Sequence, residues 1–326
     1  MTTLTISAAL GLAEMMKRRY NGVQLTVAET LAQINMLVAT APVREANDIW
    51  SHVSTRHNTL ASPSARKLNA GGTRAHSETE QVRERIMLLE LPVEIDEDII
   101  DHEPDPAQAM ADEISMDLEG VAQKLAYYLI YGNPATNAEE LRGFMPRRAA
   151  LSANCVGAGG TGSDMTSVYV VEWSPRSMNL IYPKGSPSMG VEVNDKGKLR
   201  VTDSSHNPYW AYVHQIKVQL GLNVVEERSL QRIANIESTN ATNNFIDATK
   251  VRLLVAAINR LPLAGLAGQA FIYANRTAKT QLDIYGLEKS NGFYTVDNLT
   301  GGPMTMFRGL PVLLVEQITD TELAAA

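Results

Sequence analysis

The sequence predicts a mixed α+β chain with an N-terminal arm, an extended β-hairpin loop, a long helix and a strand-rich remainder. Three observations predict this. Met110, Ile114, Leu118, Val121, Leu125 and Leu129 step by four and three, so one apolar stripe runs along a single helix over residues 105–131. Ala70-Gly71-Gly72-Thr73 is a turn signal inside a stretch, 65–101, whose flanks alternate loosely. After residue 166 strand patterns dominate, and helical spacing returns only near residue 248.

Taken in order, residues 1–64 read as an arm. Val27, Leu31, Ile34 and Val38 recur at helical spacing behind a capping Thr26, and Ala41-Pro42 ends that helix. Residues 51–64 are polar and aperiodic, which reads as extended chain. The hairpin loop occupies 65–104. It has too few apolar residues to bury a face, and such a ribbon is marginal alone in water, so it needs another surface to lie on. Its front half is basic, with Arg66, Lys67, Arg74, Arg83 and Arg85.

An acidic block follows. Residues 86–123 hold twelve carboxylates, Glu94, Asp98, Asp101, Asp112 and Asp117 among them, and no Lys or Arg. The plain reading is a solvated face favoured by the positive end of a helix. The long helix has Asp105 as its cap, Pro106 in its first turn and Gly132-Asn133-Pro134 as its stop. About 25 residues at 1.5 Å each make a rod of roughly 38 Å, long for an enzyme domain and natural for a spine. It opens a domain over 105–246, with strands at 168–173 and 178–182 joined at Ser174-Pro175, at 199–202, and a long one at 209–225. A last domain, 247–326, reads as helix 248–259, strand 270–274, helix 277–285 and strand 311–315.

Composition narrows the function. Twenty-nine basic against 36 acidic residues give a net charge of -7, which argues against a protein built to grip a nucleic-acid backbone. One cysteine, Cys155, excludes an intrachain disulfide and a cysteine metal cluster. No apolar run reaches the ~20 residues of a bilayer span, and no basic flank precedes an apolar segment at the start, so no membrane and no secretion are expected.

The chemical motifs are weak. Gly157-Ala158-Gly159-Gly160-Thr161-Gly162 fits GxGxxG, but a strand follows it where a dinucleotide site needs a helix N-terminus, so it reads as a flexible connector. Ser64-Ala65-Arg66-Lys67 matches SxxK without its partner motifs. Six scattered histidines show no zinc spacing, and Asp96-Glu97-Asp98 lacks an EF-hand loop. Nothing near Cys155 would activate it as a nucleophile. Neither a catalytic residue nor a cofactor or metal site is expected.

Several segments resemble major capsid proteins of short-tailed bacteriophages. They are Leu141-Arg142-Gly143-Phe144-Met145-Pro146-Arg147, the glycine-rich loop running into Ser167-Val168-Tyr169-Val170-Val171-Glu172-Trp173, and Tyr182-Pro183-Lys184-Gly185. Asn207-Pro208-Tyr209, Arg232-Ile233-Ala234-Asn235-Ile236, Tyr273-Ala274-Asn275-Arg276-Thr277 and Phe307-Arg308-Gly309-Leu310-Pro311-Val312 complete the series. The family usually has Leu where Met145 stands.

The resemblance implies the Hong Kong ninety-seven type capsid fold: N-terminal arm, extended loop, peripheral domain with spine helix, and axial domain. It implies a structural protein that assembles with itself into hexamers and pentamers of an icosahedral shell around double-stranded DNA, built in the bacterial cytoplasm and ending in the virion. A portal complex, a cement or decoration protein and a separate scaffolding protein are the partners implied. Gly143, Gly309 and Pro311 then read as backbone devices. The crosslinking of some members is not carried over, because only Lys67 lies near the hairpin and no catalytic Glu can be assigned. The basic hairpin residues and the acids Glu94, Asp98, Asp101, Asp112 and Asp117 are expected to meet across subunits. Two alternatives are an encapsulin-type compartment shell and a soluble α+β enzyme.

Overall fold

In the computed structural model, which describes residues 35–102, 106–202, 206–239, 243–262, 269–288, 294–297 and 304–325, two β-sheets pack with a long helix between and beside them. The chain enters at α1 (Met36–Thr40), where the Asn35 side chain accepts from the Leu37 N–H and caps the helix. Val38 is fully buried there. The rest of the expected arm helix, with Thr26, Val27, Leu31 and Ile34, lies outside the described residues, as does the expected cap Asp105.

After β1 (Val43–Glu45), β2 (Ser51–Thr59) pairs antiparallel with β3 (Glu78–Asp96). The first hairpin strand therefore lies in the segment read from sequence as extended chain of the arm, ahead of the hairpin expected from residue 65, while residues 60–77 form a long irregular tip. The reason is physical. Past Ser51 and His52 neither face of β2 is fully buried, so backbone pairing rather than side-chain burial makes it a strand, and no alternation marks it. Farther along, β3 changes partner and pairs from Ile86 to Asp96 with a later strand, β8 (Pro208–Val224).

Asp96 caps the short α2 (Glu97–Asp101) through the Asp98 N–H. The long helix α3 then spans Pro106–Tyr131. Its C-terminal half is the buried part: Leu118, Val121, Leu125 and Leu129 are at most 5% exposed, and each such side chain contributes roughly 1.5–3 kcal/mol by leaving water. Gly132 follows, and the chain doubles back so that the Gly143 N–H donates to the Gly132 carbonyl at 2.8 Å. A Cβ on Gly143 would stand 2.7 Å from the Ile130 carbonyl oxygen, so this close return excludes any larger residue. One turn of helix, α4 (Phe144–Arg147), ends the passage.

The remaining elements are β4 (Cys155–Gly157), β5 (Met165–Trp173), β6 (Met178–Tyr182), β7 (Val191–Thr202), β9 (Leu230–Glu237), α5 (Ala248–Arg260), β10 (Gln269–Ala274), α6 (Arg276–Glu288), β11 (Tyr294–Asp297), β12 (Met304–Phe307) and β13 (Leu310–Leu314). One sheet runs β1-β6-β8-β3-β2, with β7 also on β8; the other runs β11-β12-β13-β10-β5-β9-β4. Ser174-Pro175 does join β5 to β6, but it hands the chain from one sheet to the other. Arg308 and Gly309, at φ 52° and 78°, make the tight turn from β12 to β13, a conformation that favours glycine.

The second sheet is buried on both faces. Tyr169, Val171 and Trp173 of β5, with Phe271 and Tyr273 of β10, point to a core shared with α3, β6 and β8. Val168, Val170, Ile272 and Ala274 point the other way, under α5 and α6. The period-two alternation of a strand thus assigns neighbouring residues to two different cores.

Candidate assembly surface

The hairpin leaves the body on a rigid base. Glu84 of β3 and Arg147 of α4 form a bidentate ion pair, Nη1 to Oε1 and Nη2 to Oε2, both 2.7 Å, with side chains 7% and 4% exposed. Arg147 also donates to the Arg142 and Leu222 carbonyls, so its fork is nearly saturated. A second chain of charges lies beside it. Arg56 of β2 bonds Glu80 across the hairpin and Glu227 of the adjoining turn, and Arg148 closes on the same Glu227 at 2.8 Å. Burial pushes the Glu227 carboxyl up, but Arg148 and Arg56 outweigh it and hold the group below its ordinary range.

Beyond this base the hairpin has no support from its own chain. Every residue from 57 to 81 is exposed, Leu60 and Leu68 among them at 74% and 93%. The tip between residues 60 and 77 carries Arg66, Lys67, Arg74 and His76 and no acid. Arg66 donates to the Ala70 carbonyl within the tip. Arg83 and Arg85 stand exposed on β3, with Arg85 donating to the Ala138 carbonyl at 2.5 Å.

The expected acidic partners scatter over three elements. Glu94 is exposed on β3 and Asp98 on α2. Asp101 is engaged within the chain, accepting from Tyr212 at 3.0 Å and pairing with Lys198 at 3.4 Å, alongside Glu97. Asp112 lies in α3, on a side chain outside the description. Asp117 is half-buried in α3, with its Oδ2 shielded from water. Among the described residues, none of the five basic hairpin side chains pairs with any of these acids in the same chain. Charge counting did not separate Glu94 and Asp98, which are exposed, from Asp101 and Asp117, which serve the subunit itself.

Sequence reasoning missed the groups that hold the subunit together. Glu322, near the C-terminus, is 5% exposed and pairs with Arg232 of β9 at 2.8 Å. Its Oε2 also accepts from Ser167, and its Oε1 from Tyr131 at the end of α3, at 2.6 Å. Only the Arg within a strand that is buried almost throughout, Leu230–Glu237, signals this network.

Among the described residues, those screened for chemistry show no assembled site. The loop 157–162 is not a loose connector: Ala158 and Gly160 donate to the Ala234 and Asn235 carbonyls, Lys250 caps the Ala158 carbonyl, and β5 follows, not a helix. Two of its backbone N–H groups are spent on β9, and the strand that follows supplies no helix N-terminus for a pyrophosphate. Cys155 is buried, and burial pushes its thiol up, away from reactive thiolate. Among the described residues no cluster of three His, Cys, Asp or Glu side chains has the geometry of a metal site.

An anchored ribbon, a spine helix and an α/β half sharing exchanged strands define a shell subunit of the Hong Kong ninety-seven type. Residues 19–326 match the family model of the major capsid protein GP7, and the chain belongs to that family. It is similar to the capsid chain of bacteriophage epsilon15, with 27% identity, a TM-score of 0.66 and 88% of each chain covered. The bacteriophage JBD30 capsid gives 11% identity and a TM-score of 0.45 over 85% of this chain and 89% of that one. The SrpI encapsulin of Synechococcus elongatus gives 9% and 0.45 over 63% and 88%. No curated protein matches. The chain is therefore a phage capsid protein, a structural component of the virion shell.

Proposed function

We propose that copies of this chain assemble into hexamers and pentamers that close an icosahedral shell around double-stranded DNA. The observation that carries this is the hairpin: its base is fixed by a buried bidentate ion pair, while every residue from 57 to 81 is exposed. A ribbon held so firmly in direction and so bare at its end is organised to lie on something outside its own subunit. In a shell of like copies, that something is a neighbour. Counted from β2 rather than from residue 65, the loop carries its basic tip to the acidic outer faces of β3 and α2 next door, where Glu94 and Asp98 are exposed. The arm precedes it, the peripheral domain carries α3, and the axial domain begins near residue 247.

The shell acts by repeated contact and not by catalysis. A portal complex, a cement or decoration protein and a separate scaffolding protein are its further partners, and assembly takes place in the bacterial cytoplasm. The net charge of -7 suits a container from which packaged DNA must later leave, since a basic lining would hold phosphates strongly. Negative-stain electron microscopy of the expressed chain is the test. Closed particles with five- and six-fold capsomers are expected; a small soluble oligomer at every concentration and ionic strength would reject the proposal.

A further inference from the structure

The turn before β2 is fixed at each residue from 47 to 53, yet it presents two large apolar side chains to water. Asn47 exchanges two bonds with Val53: its Nδ2 donates to the Val53 carbonyl at 2.7 Å, and its Oδ1 accepts from the Val53 N–H at 2.9 Å. The Asn47 N–H donates to His52 Nδ1 at 3.2 Å. The Asp48 carboxylate accepts from the Ile49 N–H at 2.8 Å and from the Ser51 hydroxyl at 3.0 Å, while its carbonyl accepts from the Lys184 N–H. The Trp50 carbonyl accepts from the Ile86 N–H at 3.0 Å, which ties the turn to β3. Ile49 and Trp50 are nevertheless each 55% exposed. A turn that served only to reverse the chain would carry polar residues at its crest.

The rim of this turn is basic. Arg83 and Lys184 are near enough to Asp48 to help hold its carboxyl below the ordinary range, behind the bonds from Ile49 and Ser51. Arg85 stands opposite Ser51 on β3, and the charge of Arg44 in β1 acts on His52. All four bases are exposed. The acids beside them, Glu45 and Asp48, are taken up by the Gly185 and Ile49 N–H groups. The whole chain carries a net charge of -7, so a second copy meets this rim with the opposite sign on average. The turn also runs straight into β2, the first strand of the hairpin, so a neighbour lying along the hairpin reaches its root.

We propose that Ile49 and Trp50 anchor the contact with a second copy of this chain, as the apolar centre of an interface whose register is set by the charges farther out on the hairpin. This rests on the shell reading above in taking the neighbour under the hairpin as the occupant. Tryptophan is among the residues that dominate protein–protein contacts when a polar rim keeps water out, and its ring buries about 150–250 Å². The turn is already rigid, so little conformational freedom is lost when it docks. Exposed ion pairs at the tip contribute little each, which leaves most of the affinity to the root.

Of the three tryptophans, Trp173 is 1% and Trp210 54% exposed, so a full-length Trp210→Phe chain leaves Trp50 as the exposed one. Acrylamide quenching of its fluorescence should be strong at dilution and fall severalfold on association. Ile49→Ser with Trp50→Ser should raise the concentration needed for association by roughly 30-fold or more, the least a hot spot is worth, with the Tm of the dilute subunit unchanged. Should that double variant fail to fold, the quenching decides alone, because it is read on a chain that keeps both side chains. Association of the double variant at the original concentration would overturn the anchor. So would quenching as strong in the associated state as in the dilute one, or Trp50 already shielded in the dilute subunit, where only its own chain could cover the turn. The shell reading is judged separately by electron microscopy. A small oligomer that shields Trp50 keeps the anchor and rejects the shell; closed particles that leave Trp50 open keep the shell and reject the anchor; a chain that stays monomeric rejects both.

Discussion

Arg147 meets Glu84 where neither reaches water, which makes the pair far less forgiving than a surface contact. Removing one partner leaves the other as a buried, unpaired charge, and such losses cost about 3–5 kcal/mol. Arg147→Met is expected to lower the unfolding free energy of the full chain by that much, read as a lower urea midpoint at unchanged slope. Replacing both, Glu84→Leu with Arg147→Met, should recover most of it; a double variant no better than the single one would show that geometry, not charge burial, is at stake. Glu227 behaves differently because it is 41% exposed. Its folded value lies below the ordinary 4.5, so its stabilisation is fully present above that pH and disappears as pH falls through the folded value. Glu227→Gln should therefore weaken the chain at pH 7, by under ~1 kcal/mol after solvent screening, and make progressively less difference as pH falls through and below the folded value. A loss that stays the same as pH falls would rule out the charge as the cause.

Among elements, those that bury one face were legible and those that do not were hidden. The helix Pro106–Tyr131 shows its apolar period because it lies against a core along half its length. By contrast, β2 has the sequence SHVSTRHNT, with little to bury, and no pattern could mark it. The strand Leu230–Glu237 is buried almost throughout yet contains Gln231, Arg232 and Asn235, polar groups that bond Asn154, Glu322 and Ala325, all far away in sequence. The same distance hid the pairing of Arg147 with Glu84. Of the proposed contact residues, the basic side chains were legible as a group on the ribbon, but not which acids remain available to a neighbour. The hairpin tip gives the corresponding prediction. Arg66→Glu, Lys67→Glu and Arg74→Glu together should slow assembly most at low salt, where screening is weakest. Exposed pairs are worth only ~0.2–1 kcal/mol each, so the effect is one of steering and register. Adding Glu94→Lys and Asp98→Lys should restore part of it. Assembly followed by light scattering that is indifferent to these reversals at every ionic strength would end the pairing proposal.

At the scale of the whole molecule, two cores on opposite faces of one sheet must move as a unit if the subunit is to transmit load between neighbours. The C-terminal strap makes them one. Val315 and Ile318 enter the core beneath α3, Asp320 accepts from Asn275 and Thr277 at the start of α6, and Ala325 exchanges two bonds with Asn235 of β9. Between these points Glu322 binds β9 through Arg232, β5 through Ser167 and the end of α3 through Tyr131. Burial and the neighbouring Glu322 push the Tyr131 hydroxyl well above its usual range, so it stays a donor at any working pH. One carboxylate is thus the meeting point of helix, sheet and strap. Its charge matters more than its hydrogen bonds, because Arg232 is 2% exposed and its other acceptors, the Arg148 carbonyl and the Ser167 hydroxyl, are neutral. Glu322→Gln keeps the shape and most acceptor capacity but leaves Arg232 as a buried cation without a counter-charge. The expected penalty is that of a broken buried pair, about 3–5 kcal/mol, which should lower the Tm of the subunit by roughly 5 °C or more. Differential scanning fluorimetry reads that shift. Glu322→Asp should fall in the same direction but less, since the charge survives at a shorter reach. A Glu322→Gln chain that melts with the unaltered one would mean that packing of Ile318 alone holds the strap, and that the two cores are joined without its carboxylate.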